Sequence, residues 1–165
     1  MSKLPVNNLL ILLVALMLGG CATHFDISAA EHRITPQQAA SSIALVQNKT
    51  VAWGGLIVAA RNLSSQTQLE VLSFPLDEHG RPDRAAKAGG RFIALHTGYL
   101  ELANYAEGRL VTMTGAVNET RAGSVGEASY VYPVLAIQSL FLWPTPAEEA
   151  GKPQFHFGVG VGISR

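Results

Sequence analysis

The sequence predicts a mostly β domain: a small OB-like barrel of five to six strands, preceded by one short N-terminal helix. Three observations predict it. From Thr50 onward, short β-type runs alternate with turn residues at intervals of about ten, the texture of a small barrel or sandwich. A glycine pair, Gly54-Gly55, interrupts the first of these runs, as a strand does where it coils sharply to close a barrel. The stretch between the third and fourth runs, Gly98–Glu107, is too rich in breakers for a long helix, so the helix that sits there in many OB barrels is reduced to a turn. An open β-sandwich fits the same spacing and stays as the alternative.

The chain begins with an address. Lys3 is followed by an unbroken apolar run, Leu9–Leu18. Ten residues of helix reach about 15 Å, roughly half of a bilayer's hydrocarbon core, so this is the h-region of a signal peptide and not a span. Small residues follow at Gly19 and Gly20, and then comes Cys21, the sole cysteine of the 165 residues. Leu18-Gly19-Gly20-Cys21 resembles the lipobox of bacterial lipoproteins. That resemblance implies cleavage between Gly20 and Cys21 and acylation at Cys21, where a nucleophilic sulfur can take the lipid. Several acyl chains at ~0.8 kcal/mol per buried CH₂ anchor more firmly than one, which alone is marginal. Ala22 follows the cysteine, where an aspartate commonly marks inner-membrane retention. An outer-membrane address with the body in the periplasm is therefore expected.

Residues 21–34 read as a lipidated tether without sustained periodicity. Thr35-Pro36-Gln37-Gln38 is a capping-box signature with proline at the first helical position. It predicts a helix through about Val46 with Ala39, Ile43 and Val46 on one stripe. Strands are expected near Val51–Arg61, Gln68–Pro75, Arg91–Thr97, Arg109–Val117 and Tyr130–Trp143. A turn over Arg121–Gly126 separates the last two. In the third connection, Tyr99, Leu100 and Leu102 are candidates to plug a barrel end. The loop Asp77–Gly90 gathers charges, Pro82 and glycines, and is expected to be the most mobile stretch. Residues 145–165 form a linker and a C-terminal strand in which Phe155, Phe157, Val159, Val161 and Ile163 alternate with small or polar residues. That strand either covers the barrel flank or joins other chains, because glycine-rich strands fix register weakly and leave an edge open.

Composition narrows the function. Twelve Lys and Arg balance twelve Asp and Glu, which argues against nucleic acid as a partner, since phosphate-held complexes rest on a basic excess. One cysteine makes neither an internal disulfide nor a sulfur-rich zinc site. The five histidines have no metal-ligand spacing, and His79 has acidic neighbours only as part of a solvated loop. No nucleophile elbow, metalloprotease helix or phosphate-binding loop is present. Glu119 and Glu127 flank a turn and are read as solvated rim carboxylates. No enzyme, cofactor or metal is expected. Trp53, Tyr130, Tyr132 and Trp143 are the candidate ligand-binding residues, since OB barrels use aromatic platforms to stack oligosaccharides and single strands; the competing reading places them in the core.

Spread along the chain, Trp53-Gly54-Gly55, Asn62, Thr67–Val71, Pro75-Leu76-Asp77, Gly80-Arg81-Pro82, Gly90-Arg91-Phe92, Gly108-Arg109, Gly126-Glu127, Tyr130–Val134 and Leu142-Trp143-Pro144 together resemble the Slp family of outer-membrane lipoproteins. The resemblance runs from the lipobox to about residue 144. It implies an outer-membrane location and a link to starvation and acid stress, and it carries no established catalytic residues. Where the family has an aromatic followed by Leu-Asp-Pro, this chain has Tyr99-Leu100-Glu101-Leu102. The domains expected are then a signal peptide at 1–20, the tether at 21–34, the β domain at 35–144 and the C-terminal linker and strand. The function expected is that of a non-enzymatic envelope component. Its partners are membrane lipid through Cys21 and other envelope proteins or a second copy of itself; a binding module for a small envelope ligand or glycan is the alternative.

Cys21→Ser should yield an uncleaved precursor that takes up no labelled palmitate. Mass spectrometry and membrane fractionation check this, and a variant that is cleaved and still firmly held in the membrane would contradict the assignment.

Overall fold

A computed structural model describes residues 24–151, so Gly20, Cys21 and the glycine-rich tail lie outside the described residues. The elements are α1 (Pro36–Ser41), a 3₁₀ turn (Ile43–Leu45), β1 (Thr50–Asn62), β2 (Gln66–Phe74), β3 (Arg91–Thr97), β4 (Leu110–Val125), β5 (Ala128–Leu142) and α2 (Pro146–Ala150). The strands close into a barrel in the order β1-β2-β3-β5-β4. That is the strand order of an OB barrel, and the open sandwich is set aside. Among the described strands the pairings are antiparallel except β3 with β5, which meet in parallel over three residue pairs from Ile93↔Val134 to Leu95↔Ala136.

Closure is made at β1. Gly54–Leu56 pairs with Phe74–Leu72 of β2 on one edge and with Thr112–Leu110 of β4 on the other. Two neighbouring backbones therefore press on the same residues. A Cβ at Gly55 would collide with the Leu72 carbonyl, and one at Gly54 would lie 2.7 Å from the Val111 carbonyl oxygen. Glycine is required here by proximity, as its place in the sequence suggests. Gly115 meets the Ala136 backbone in the same way, beside the register shift in β4.

Among the described residues the barrel interior holds one main apolar cluster, and a smaller one of Ile93, Tyr132 and Val134 lies beside it. Trp53, Ile57, Leu69, Val71, Phe92, Val111, Met113 and Leu135 fill the main cluster, with Ala39 of α1 and Val46 after the 3₁₀ turn packed among them. The Trp53 and Phe92 rings lie 5.2 Å apart. Leu100 and Tyr105 of the β3–β4 connection pack against this cluster, whereas Tyr99 is 66% exposed and plugs nothing. Its hydroxyl instead donates to the Ser64 carbonyl.

Several expectations change. The first helix has the anticipated cap, with Thr35 and Gln38 bonded reciprocally, but it ends at Ser41. Ser41 Oγ turns back to the Gln37 carbonyl, a competing bond that serine makes readily, and Ser42 is extended before the 3₁₀ turn begins. β4 and β5 are also longer than expected. The stretch read as a turn, Arg121–Val125, is paired strand, and the turn proper is Gly126-Glu127, with Gly126 at φ 59°. Glycine first is what a tight hairpin of this kind requires.

Residues 24–34, read as a tether, lie along the barrel. Phe25 N–H donates to the His79 carbonyl, Ile27 is buried, and Glu31 bridges in parallel to Val51. The Trp53 indole N–H donates to the Ile34 carbonyl at 2.7 Å. The loop after β2, expected to be mobile, is tied in as well. Asp83 N–H reaches Pro75, Gly89 N–H reaches Ser73, and Gln37 N–H reaches Gly89.

Gly55→Ala should destabilise the domain by about 1–3 kcal/mol or more, because the new methyl meets fixed backbone. Gly98→Ala, which meets nothing within 4 Å among the described residues but sits at φ 84°, should cost only about 1–2 kcal/mol of backbone strain. Urea unfolding of both variants tests the ranking.

Candidate functional site

A cleft of about 510 Å³ lies between the loop Asp77–Ala85, the start of β4 at Gly108–Leu110 and the chain leaving β5 at Trp143–Pro146. Its construction begins with a turn. Asp77 Oδ1 accepts from the N–H groups of His79 and Arg81, each at 2.8 Å, and Gly80 takes φ 76°. This local bonding, typical of aspartate in turns, sets Arg81 at the rim. The Arg81 guanidinium lies 5.3 Å over the ring of Trp143, a cation–π contact.

The turn is keyed to the barrel by one hydroxyl. Thr112, fully buried in β4, donates through Oγ1 to the Gly80 carbonyl at 2.7 Å and accepts from Trp143 Nε1 at 2.9 Å. Thr112 thus satisfies two buried groups and holds the loop and the end of β5 in one arrangement. Phe141 stacks edge-on against Trp143 at 4.7 Å.

The start of α2, at Thr145 and Pro146, borders the cleft. Thr145-Pro146-Ala147-Glu148 repeats the capping box of the first helix, with Thr145 and Glu148 bonded reciprocally. Its acids face the arginines: Arg109 Nη2 donates to Glu148 at 3.2 Å and Arg81 Nη1 to Glu149 at 3.3 Å. The hydrogen bonds from Thr145, backbone first, hold the Glu148 carboxyl below its ordinary range, with Arg109 adding to the effect. A lowered folded pKa means that the docked charge is in place above the ordinary glutamate range and is lost only as pH falls through the lowered value. Arg109 also donates to the Trp143 carbonyl, while its Nε is buried with no partner among the described residues.

The aromatic candidates do not share one face. Trp53 is 2% exposed inside the barrel, and Trp143 is 2% exposed beneath Arg81, so neither offers a ring for stacking. Tyr130 and Tyr132 do meet, at 4.7 Å, beside β3. The Tyr130 hydroxyl accepts from Arg91 N–H at 2.7 Å. The single Tyr132 proton faces the Ser124 carbonyl at 2.8 Å and Glu70 at 3.2 Å. Burial foremost, then the Glu70 charge, raises the Tyr132 pKa, so it remains a donor. Arg91 completes the cluster through a 2.7 Å bond to Glu70. These two tyrosines are a latch between strands.

Other sequence candidates disperse. Glu119 pairs with Arg121, and Glu127 sits at the hairpin tip, on the order of 20 Å further along the strand at about 3.3 Å per residue. His79 lies edge-on to His24 at 6.1 Å and near the exposed Glu78. Among the described residues no group of three or more His, Cys, Asp or Glu is placed to hold a metal ion. Sequence reading missed the arginine cleft. Its one legible signal was the second capping box at Thr145, which announces a helix and puts Glu148 and Glu149 in its first turn.

Fold and site together define a small, closed β-barrel domain with an internal aromatic core and a charged external cleft; no described helix is long and apolar enough to cross a membrane. The family described as "Outer membrane lipoprotein Slp family" matches residues 18–159, and the chain belongs to it. An uncharacterized lipoprotein of Escherichia coli, YeaY, is 29% identical over 157 residues, covering 93% of this chain and 80% of that one. The outer membrane protein Slp of the same organism is 29% identical over 91 residues, covering 55% of this chain and 48% of its own. An uncharacterized protein of Haemophilus influenzae is 36% identical over 96 residues, 58% of this chain and 52% of that one. Solved structures with a similar outline include an OBody bound to hen egg-white lysozyme (TM-score 0.38, 13% identity, 67% of this chain and 88% of that one). A small single-stranded DNA-binding protein of Streptomyces coelicolor gives TM-score 0.37 and 15% identity over 56% of this chain and 92% of that one. The barrel assignment rests on strand order and not on these distant outlines. The protein is an outer-membrane lipoprotein.

Thr112→Val should remove both hydrogen bonds and leave the Gly80 carbonyl and the Trp143 indole unsatisfied, at a cost of about 2–4 kcal/mol. Thermal unfolding measures the loss, and a red-shifted tryptophan emission would report Trp143 loosening from its seat.

Proposed function

We propose that this protein is a non-enzymatic, stress-associated component of the envelope, anchored through acylated Cys21 with its barrel in the periplasm, and that it acts by contact with envelope proteins or a second copy of itself. Ala22 after the cysteine supports the outer-membrane address, and the family's name supports the lipid anchor.

The observation that carries the contact reading is the β4–β5 arm. β1 pairs with β4 only as far as Ala116, and β3 pairs with β5 only from Val134 onward. Between them, Asn118–Val125 and Ala128–Tyr132 form a two-stranded ribbon whose residues are mostly exposed, with Val131 46% exposed. Isolated two-stranded ribbons are marginal in water. This one is held at its root by the Tyr130–Tyr132 latch on Arg91 and Glu70. Beyond Ala116 on β4 and before Val134 on β5 its outer edges have no strand partner among the described residues, and such edges can accept another strand.

A photo-crosslinking residue at Val131 should give adducts in intact outer membranes, while one at exposed Ala103 in the β3–β4 connection should give few. Equal or absent crosslinking at both positions would refute the arm as the contact surface.

A further inference from the structure

The arginine cleft has an unused capacity. Arg109 spends one end of its guanidinium on Glu148 and the Trp143 carbonyl, and its buried Nε–H has no acceptor among the described residues. A guanidinium engages a phosphate or carboxylate best through two parallel bonds, and a buried donor left unmade costs free energy. The side chain is 18% exposed, so a modest rotation exposes its fork to the cleft. Arg81 and Arg84 stand on the facing loop. The two aspartates that also line the cleft are engaged by the turns they form: Asp77 Oδ1 by His79 and Arg81 N–H, Asp83 Oδ1 by Ala85 N–H. The carboxylates that do answer the arginines, Glu148 and Glu149, come from a five-residue helix whose contacts with Arg81 and Arg109 are exposed ion pairs worth little each.

Position adds a second argument. Phe25 N–H is bonded to the His79 carbonyl, and His24 lies against His79, two residues before Arg81. Three peptide steps separate Cys21 from His24, a reach of at most about 11 Å at 3.8 Å per step. An acylated Cys21 would keep this side of the barrel within reach of the headgroup layer.

We propose that the cleft between Arg81 and Arg109 is a binding site for a phosphate group, and that α2 is a built-in acidic strap that competes for it. The headgroup placement rests on the anchor at Cys21; the site itself does not. Phosphate enters as Glu148 and Glu149 leave, Arg109 bonds it through Nε and Nη2, and Arg81 slides along the Trp143 ring to meet it.

The test titrates the full lipidated protein, in neutral detergent, with inorganic phosphate, following tryptophan emission and heat. Saturable binding is expected. Glu148→Gln with Glu149→Gln keeps the cap, since glutamine serves a capping box, and should tighten binding about fivefold. Arg109→Gln should weaken it about tenfold or more, and Arg81→Gln, on the exposed loop, gives the same direction if the first variant unfolds. Absence of saturable binding in both the natural protein and the double glutamine variant, or binding indifferent to both arginines, would overturn the site. Reconstitution into phosphatidylcholine vesicles with and without phosphatidylglycerol then separates the sources. An emission change that depends on Arg81 and on the anionic lipid assigns a headgroup. Binding of phosphate with no such vesicle response assigns a free phosphate and removes only the membrane-facing placement.

Discussion

The fold turns on a close backbone approach at Gly54-Gly55. Over three residues β1 must bond to β2 on one edge and to β4 on the other, and the strand can serve both only by coiling so tightly that no Cβ fits at Gly55. From that corner the rest follows. β2 and β3 continue as a meander on one side, β4 and β5 as a hairpin on the other, and the barrel is shut by just three parallel pairs between β3 and β5. Such a short parallel seam contributes few hydrogen bonds of its own. It is sustained by what it encloses, with Phe92, Ala94 and Leu135 wholly buried at or beside the seam.

The same corner positions the cleft. Thr112 is the partner of Gly54 in the β1–β4 ladder, and its hydroxyl reaches the Gly80 carbonyl on one side and the Trp143 indole on the other. Glycine at position 54 leaves room for that hydroxyl, since a Cβ there would sit 2.7 Å from Thr112 Oγ1. The requirement for barrel closure and the requirement for an ordered arginine loop therefore fall on the same residue pair. A charged loop of this composition would ordinarily be loose; here a buried neutral hydrogen bond, where water does not compete, holds it.

Much of the barrel was legible because its signals are local. Strand runs, the glycine pair and the Thr35 cap are each written in adjacent residues, and the strand count follows. What escaped depends on partners distant in sequence. Arg121–Val125 looks like a loop because its residues are small and polar, yet its pairing is supplied by Ala128–Tyr132 across the turn. The stretch 24–34 lacks periodicity because it contributes isolated contacts, at Phe25, Ile27 and Glu31, instead of a face. Trp53 and Trp143 could be named as important but not placed: one indole bonds to Ile34, nineteen residues upstream, and the other to Thr112, thirty-one residues upstream. No pattern within a window of ten residues carries either fact. The arginine cleft is of the same kind, since Arg81, Arg109 and Glu148 acquire meaning only when β4, β5 and the loop meet.

The N-terminal stretch decides how the barrel can present itself. A long loose tether would let the body tumble freely above a bilayer and would make the orientation of any cleft irrelevant. In this chain the body is held from His24 or Phe25 onward, through the His79 carbonyl, the Val51 bridge and the Trp53 indole. An anchor at Cys21, as proposed, would therefore keep one side of the barrel within a short radius of it. The β4–β5 arm and the loop at His79 are then no longer equivalent surfaces. The loop shares its hydrogen bonds with the segment nearest the proposed anchor, whereas the arm is rooted on β3 through Arg91 and on β2 through Glu70. The proposed phosphate cleft and the proposed contact ribbon stand on different strands, with the apolar core between them keeping their relative placement constant.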